Sequence, residues 1–201
     1  IKPIVALSAL ENNIISPDLK VNCKGHKHPL ELYGSKYHCW KKEGHGYMTL
    51  SNATKQSCDT YFYEVARLLG VDKLKETAKK FGLGDKVLGD YFNEKKGVVP
   101  STEWKKRVIG QNWYLGETLI TGIGQGYIQT TPIQLCLMTA QIANGGYKIY
   151  PKIVLDKNQD TFEEIKSKMK MQTDANDEDT KSRFNSGIFF GDDTKKYTAL
   201  Y

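Results

Sequence analysis

Apolar residues spaced three and four positions apart predict helices in several parts of the chain. Residues 1–12 are almost continuously apolar after the first turn, which favours a largely buried helix. The same spacing runs through residues 49–70, where Thr49 can cap a helix. The small polar residues Ser57, Cys58 and Asp59 interrupt this pattern, so it predicts two helices separated by a turn. Such a turn could direct Ser57 and Asp59 into a cleft.

The rest of the pattern is shorter and more interrupted. Residues 13–43 have no helical period and predict loops, with short strands near 20–23 and 36–40. The later predicted elements are an amphipathic helix over 71–84, a capped helical beginning at 100–104, glycine-rich loops over 114–129, a helix over 132–143 and a strand over 147–155. We expect Cys136 to lie on the apolar face of the helix that begins at Pro132.

Composition narrows the class of protein. Of 201 residues, 39% are hydrophobic and 26% are charged, as in ordinary soluble globular proteins. The net charge of +6 is uneven, because residues 156–201 hold ten acidic and eight basic side chains and leave +8 on the first 155. No run of Lys or Arg supports a nucleic-acid-binding arm, and no apolar run approaches the roughly 18 residues that span a membrane. We expect residues 156–201 to be a polar insertion or linker, partly mobile.

Cysteine and histidine are concentrated in one part of the chain. Three of the four cysteines and all four histidines fall between Cys23 and Cys58. Zinc favours four thiolate or imidazole ligands in a tetrahedron, and a loop region poor in apolar residues gains most from such a site. The predicted ligands are Cys23, Cys39, His45 and Cys58, with His26 and His38 as substitutes. A Cys23–Cys39 disulfide, or unpaired thiols with scattered surface histidines, are the plainer alternatives.

Several stretches occur in an order that is specific only in combination. The four main stretches are Lys2-Pro3 at a helix start, Ser57-Cys58-Asp59 between two helices, Trp113-Tyr114-Leu115-Gly116-Glu117-Thr118, and Gly122-Ile123-Gly124-Gln125-Gly126-Tyr127 followed by Thr131-Pro132-Ile133-Gln134. Two further stretches support them: Trp40-Lys41-Lys42 before Gly44-His45-Gly46, and Asp59-Thr60-Tyr61-Phe62-Tyr63. Over residues 1–155 the chain resembles the transpeptidase domain of class B penicillin-binding proteins, most closely those of the rod-shape elongation machinery. The resemblance implies an α/β fold of the penicillin-binding, serine β-lactamase-like type, present here in part and mostly as helices.

The resemblance also implies roles for three residues. Family members carry the motifs Ser-x-x-Lys, Ser-x-Asn or Ser-x-Asp, and Lys-Thr-Gly. Lys2 matches the lysine of the first motif and would be the base. Ser57 and Asp59 match the second motif, so Ser57 would relay a proton and Asp59 would hold Ser57 or the substrate amide. From the residues alone, a solvated Lys2 and a helix-capping Asp59 beside a satisfied Ser57 are the plainer interpretations.

Two parts of the catalytic apparatus are missing from the sequence as it stands. By the resemblance, the nucleophilic serine would lie three residues before Lys2. The Lys-Thr-Gly strand would lie beyond Tyr201, because this motif does not occur in the chain. We therefore expect an excised piece of a transpeptidase domain that does not itself catalyse.

The resemblance implies a peptidoglycan D,D-transpeptidase as the parent protein. Such an enzyme cross-links stem peptides that end in D-Ala-D-Ala through a serine acyl-enzyme, binds β-lactams and needs no cofactor for catalysis. We expect this domain in the periplasm, an inner-membrane anchor outside residues 1–201, and partners among the membrane proteins of the elongation complex. Two alternatives remain open: a β-lactam-sensing domain of the same fold, and a non-enzymatic, zinc-stabilised module that binds an acidic partner.

Overall fold

The computed structural model describes residues 1–89 and 93–151. Within them the helices are α1 (Lys2–Glu11), α2 (Leu50–Lys55), α3 (Asp59–Leu69), α4 (Val71–Lys80), α5 (Thr102–Ile109), α6 (Leu115–Gly122) and α7 (Pro132–Ala143), and the strands are β1 (Val21–Cys23), β2 (Leu30–Leu32), β3 (Ser35–Tyr37) and β4 (Gly46–Met48). One unit is formed by Ile1–Lys80 with Val98–Gln129, and a second by Phe81–Gly97 with the described residues after Gln129. The described part is mostly helical, as predicted.

Helix α1 is buried on all sides within the first unit. Its residues 4–9 are all buried, which confirms the helix predicted from the almost continuous apolar run. It packs against α3 and α4. Pro3 lies in its first turn, where the missing N–H breaks no helical hydrogen bond. The buried helix therefore holds Lys2, its first residue, in a defined place.

A turn separates α2 from α3, as the polar interruption predicts. Thr49 caps α2, and its side chain accepts a hydrogen bond from the backbone N–H of Asn52 at 3.5 Å. Helix α2 ends at Lys55 and α3 begins at Asp59. Both helices bury apolar side chains, and α3 packs against α1 and α6. The turn between them is thus anchored at both ends.

The glycine-rich stretch that predicts loops over 114–129 contains helix α6, so that prediction is wrong. Glu117 stabilises the start of the helix, because its carboxylate accepts the N–H of Tyr114 at 2.8 Å and forms an ion pair with the buried Lys105 at 2.5 Å. At the other end, a Cβ added to Gly122 would collide with the side chain of Ala66 in α3. The absent side chain at this glycine allows two helices to approach closely.

Two small antiparallel strand pairs lie between α1 and α2 in the sequence. Strand β1 pairs with β4, and β2 pairs with β3. The strand predicted near 20–23 is confirmed as β1, whereas the one predicted near 36–40 forms slightly earlier, as β3. The hydrophobic pattern does not predict β2 or β4, because three residues are too few to show alternation.

Helix α7, in the second unit, confirms the helix predicted from Pro132. Its buried face is not the predicted apolar one, because Gln134 is buried and Cys136 is exposed. The Nε2 group of Gln134 donates to the carbonyl oxygens of Asp85 and Lys96 at 2.7 and 2.8 Å. These bonds satisfy a buried amide, so a polar side chain can occupy the interior.

The strand predicted over 147–155 is not formed in its described part, residues 147–151. A strand needs a partner for its backbone groups, and none of the described strands pairs with this segment. Its remainder, like the polar insertion or linker predicted over 156–201, lies outside the described residues. The predicted domain boundary after residue 155 stays a prediction.

Candidate functional site

The side chain of Lys2 reaches the turn between α2 and α3. Its Nζ donates to Ser57 Oγ at 2.8 Å, to the Ser57 carbonyl oxygen at 2.8 Å and to Asp59 Oδ1 at 2.6 Å. An ammonium group has three protons to donate, and these three acceptors account for all of them. The side chains of Lys2 and Asp59 are only 15% and 14% exposed. The structure therefore brings together the three residues predicted from the sequence.

Ser57 holds a backbone conformation that side chains other than glycine rarely adopt. Its φ is +52°, in the left-handed region, which disfavours an L-residue by about 1 kcal/mol. The next residue, Cys58, is extended and forms the N-cap of α3. Backbone bonds from Ser57 N–H to Thr54 and from Cys58 N–H to Ala53, at 3.3 and 3.0 Å, close the turn. A strained residue at such a turn is typical of functional sites.

Trp40 is also part of this site, although the sequence pattern predicts no role for it. Its backbone N–H donates to Asp59 Oδ2 at 2.9 Å, and its indole Nε1–H donates to the Ser57 carbonyl oxygen at 3.0 Å. Both carboxylate oxygens of Asp59 are thus engaged, one by Lys2 and the other by Trp40. The signal that could have marked Trp40 is its position next to Cys39, in a loop with little apolar surface to bury an indole.

The register of one strand pair brings two predicted metal ligands together. Strand β1 ends at Cys23, which is paired with Gly46 of β4, so His45 lies beside Cys23. Two glycines permit this approach. A Cβ on Gly25 would collide with the backbone of Gly44, and a Cβ on Gly44 would collide with the carbonyl oxygen of Cys23. Both glycines have positive φ, so no other residue fits readily at either position.

All four predicted metal ligands meet at one point. The ligand atoms of Cys23, Cys39, His45 and Cys58 lie within 4.8 Å of one another. His45 Nδ1 is 3.5 Å from the sulfur of Cys23 and 3.5 Å from that of Cys39. Tetrahedral zinc with ordinary Zn–S and Zn–N bonds would set its ligand atoms about 3.5–3.8 Å apart. The donor types and the two separations of 3.5 Å from His45 therefore fit a structural zinc ion.

The substitute histidines lie beside the cluster but are not among its four members. His26 Nε2 is 2.9 Å from the carbonyl oxygen of Cys39, and its ring contacts that of His38 at a tilt of 56°. The Cys23–Cys39 disulfide considered as an alternative is not formed, because both residues are free thiols and buried. This leaves a cluster of three thiols and one imidazole.

The cysteines of the cluster differ in acidity. A hydrogen bond from the thiol of Cys58 lowers the pKa of Cys39 to about 3. The same bond, reinforced by burial, raises the pKa of Cys58 well above its usual range. This hydrogen bond therefore favours the thiolate at Cys39 and the protonated thiol at Cys58.

Residues 1–187 match the model of the penicillin binding protein transpeptidase domain. The chain belongs to the penicillin-binding protein transpeptidase family. Peptidoglycan D,D-transpeptidase MrdA of Acinetobacter baumannii is 37% identical over 154 residues, which cover 77% of this chain and 23% of that protein. MrdA of Escherichia coli is 36% identical over 162 residues, covering 80% of this chain and 25% of that protein.

Solved structures lead to the same transpeptidase family. Pseudomonas aeruginosa PBP2, in complex with WCK 5153, is 47% identical with a TM-score of 0.70 and is matched over 75% of this chain and 32% of its own. Helicobacter pylori PBP2, in complex with MreC, is 34% identical with a TM-score of 0.71, over 84% of this chain and 32% of its own. The resemblance to penicillin-binding proteins of the elongation type is confirmed.

The chain corresponds to only part of the length of its relatives. It spans about a quarter of the length of the curated MrdA proteins that it matches. Among the described residues, no helix is both long and apolar enough to cross a membrane.

Two pairs of substitutions test the strained turn of this transpeptidase domain. Ser57→Gly and Ser57→Ala both lack Oγ, so they differ only in a Cβ at a left-handed position. We expect the glycine variant to be the more stable by about 1 kcal/mol in the free energy of unfolding. The matched control is the exposed helical residue Ser51 of α2, where glycine should be less stable than alanine by about 1 kcal/mol. Urea denaturation measures both differences. If alanine were the more stable residue at position 57 as well as at position 51, a left-handed Ser57 would be contradicted.

Proposed function

We propose that the chain is part of a peptidoglycan D,D-transpeptidase of the penicillin-binding protein 2 type, the activity named for its curated relatives. The observation that carries the proposal is the contact of Lys2 Nζ with Ser57 Oγ and Asp59 Oδ1, at 2.8 and 2.6 Å. In a member of this family, the contact supports Lys2 as the end of Ser-x-x-Lys and Ser57 and Asp59 as the ends of Ser-x-Asp.

In the proposed reaction, the nucleophilic serine lies three residues before Lys2. As a neutral amine, Lys2 takes the proton of that serine, whose oxygen attacks the carbonyl carbon of the penultimate D-Ala. The bond to the terminal D-Ala breaks as its amine accepts a proton relayed through Ser57. An amine of a second stem peptide then attacks the carbonyl carbon of the acyl-enzyme ester. The new amide bond is the cross-link; as it forms, the bond from that carbon to the serine oxygen breaks, and the proton lost by the amine passes to this oxygen.

Asp59 is proposed to hold Lys2. Its Oδ1 accepts the bond from Lys2 and its Oδ2 accepts the backbone N–H of Trp40. These contacts favour a positioning role over a hydrogen bond to the substrate amide. Because residues 1–201 include neither the nucleophile nor Lys-Thr-Gly, we propose that they are inactive on their own.

Ligands, partners and location are proposed from the relatives. We propose that the parent protein binds stem peptides ending in D-Ala-D-Ala and β-lactams, which makes it an antibiotic target. The complex of Helicobacter pylori PBP2 with MreC supports partners in the cell-elongation complex. The reaction on cell-wall peptides implies that the domain lies in the periplasm, held by an anchor in the inner membrane.

Acylation by a labelled penicillin tests the proposed function. A protein extended in both directions to the length of its relatives should gain one penicilloyl group, on the serine three residues before Lys2, as measured by mass spectrometry. Lys2→Met should reduce the acylation rate at least about 100-fold, because general bases contribute roughly that much. The matched control is Lys20→Met, which should be acylated at the wild-type rate because Lys20 is exposed.

The same samples separate the alternatives. A folded, extended protein with no adduct would contradict the penicillin-binding assignment and favour a zinc-stabilised binding module. An adduct without cross-linked product from stem peptides would indicate a β-lactam-sensing domain instead.

We also propose that Cys23, Cys39, His45 and Cys58 hold a structural zinc ion. The support is the donor set itself, with four soft ligand atoms within 4.8 Å, three of them on buried cysteines. When bound, zinc would act as a cross-link between the β1–β4 pair and the start of α3. The ion would not enter the bonds that are made and broken in acyl transfer, which the residues of the family's three motifs carry out.

Metal analysis and proton release test the zinc site. We expect one zinc per chain, lost in Cys39→Ser and retained in Cys136→Ser, because the exposed Cys136 is outside the cluster. Since the pKa of Cys58 is raised, zinc must expel its proton, so the apparent affinity should increase with pH. Calorimetry in buffers of different ionisation enthalpy measures that release. Equal zinc in both serine variants would exclude the proposed ligand set.

A further inference from the structure

Trp40 joins the loop that carries Cys39 to the turn that carries Ser57. Its backbone N–H donates to Asp59 Oδ2 at 2.9 Å, and its indole Nε1–H donates to the Ser57 carbonyl oxygen at 3.0 Å. The indole also meets the ring of His45 edge to face, with centroids 5.2 Å apart. One side chain therefore contacts both a proposed zinc ligand and the proposed proton relay.

The carbonyl group of Ser57 is the point at which the strained turn is held. It accepts two hydrogen bonds, from Lys2 Nζ at 2.8 Å and from Trp40 Nε1 at 3.0 Å. Two donors on one oxygen fix the peptide plane that follows Ser57. Because φ of Ser57 is already in an unfavourable region, release of that plane would let the residue relax and would move its Oγ.

The two donors differ in whether their protonation changes during the proposed reaction. In the proposed mechanism Lys2 gains and loses a proton, so its hydrogen bond to the Ser57 carbonyl changes in each turnover. The indole of Trp40 is a donor only and keeps its proton throughout. Of the two donors on the Ser57 carbonyl, the indole of Trp40 is the one whose protonation does not change while the proton moves.

We propose that Trp40 is a positioning residue for acyl transfer, whose indole N–H holds the Ser57 carbonyl so that Ser57 Oγ stays in hydrogen-bond reach of Lys2 Nζ. The inference rests on the proposed transpeptidase function and adds a residue outside its three motifs. It does not require Trp40 to touch the substrate.

The exposed position of Trp40 means that its side chain contributes little to the stability of the fold. The side chain is 61% exposed, so it contributes little buried apolar area to the core. Phenylalanine at this position keeps an aromatic ring beside His45 and keeps the backbone N–H to Asp59. The substitution removes the indole N–H and little else.

The test compares two tryptophan substitutions in the extended protein. Trp40→Phe removes the bond to the Ser57 carbonyl, whereas the control Trp113→Phe removes an indole bond of 2.7 Å to Thr118 Oγ1, away from the turn. Stopped-flow acylation by a fluorescent penicillin gives the dissociation constant of the non-covalent complex and the acylation rate constant separately. We expect the acylation rate constant of Trp40→Phe to fall about fivefold to tenfold, the effect of one lost hydrogen bond. Its dissociation constant and zinc content should not change, and Trp113→Phe should match the wild type.

A second variant guards against rearrangement by the smaller ring. Benzothienylalanine at position 40 has the shape of tryptophan but lacks the N–H, and it should lose acylation to the same extent as Trp40→Phe. Unchanged acylation in both variants would overturn the inference. So would a loss of zinc that accompanies the loss of acylation, because Trp40 would then act by holding His45. A wild-type protein that forms no acyl-enzyme would instead contradict the proposed function.

Discussion

Three hydrogen bonds from one ammonium group tie α1 to the turn before α3. Lys2 Nζ meets two acceptors on Ser57 and one on Asp59. The bond to Asp59 joins opposite charges that are largely shielded from water, so removal of either partner would leave an unpaired charge, at about 3 kcal/mol. Because α1 is buried on all sides, its first residue is held in place, and the three hydrogen bonds then fix the position of the Lys2 amine. The proposed acid–base chemistry depends on this position.

The cysteine cluster holds the same turn from another direction. Cys58 stands between Ser57 and Asp59 in the sequence, and its sulfur lies with the other three ligand atoms of the cluster. Trp40, next to Cys39, bonds to the residues on either side of Cys58. The turn at Ser57 and the cluster therefore share a backbone, and a metal that fixes Cys58 would also restrict Ser57 and Asp59, the two residues proposed for the chemistry. A cluster built into a strained turn can supply the rigidity that the turn lacks.

Much of this site could be predicted from the sequence, because its signals are local. The polar side chains of Ser57 and Asp59 predict the turn, because they compete for the backbone hydrogen bonds of a helix. The order of the motifs predicts Lys2 as the lysine of Ser-x-x-Lys. The four cluster ligands follow from residue type, since thiols and imidazoles are rarely concentrated in one loop region by chance. What the sequence could not supply was the register of β1 with β4, which sets His45 beside Cys23.

The missed features depend on contacts between distant parts of the chain. Gly122 predicts a loop by its local preference, yet it lies in α6 because it allows close packing on Ala66. Trp40 bonds to a residue 17 positions away, and no short-range pattern indicates that bond. Gln134 is buried because two carbonyl groups from a distant loop satisfy it. In each case tertiary packing overrides local propensity.

The most direct test of the link between the cluster and the turn at Ser57 is the acylation rate of the extended protein as a function of its zinc content. Removal of zinc with a chelator under reducing conditions should lower the rate in proportion to the metal lost, and added zinc should restore it. Full acylation of zinc-free protein with reduced cysteines would contradict the account, because the turn would then keep its geometry without the cluster.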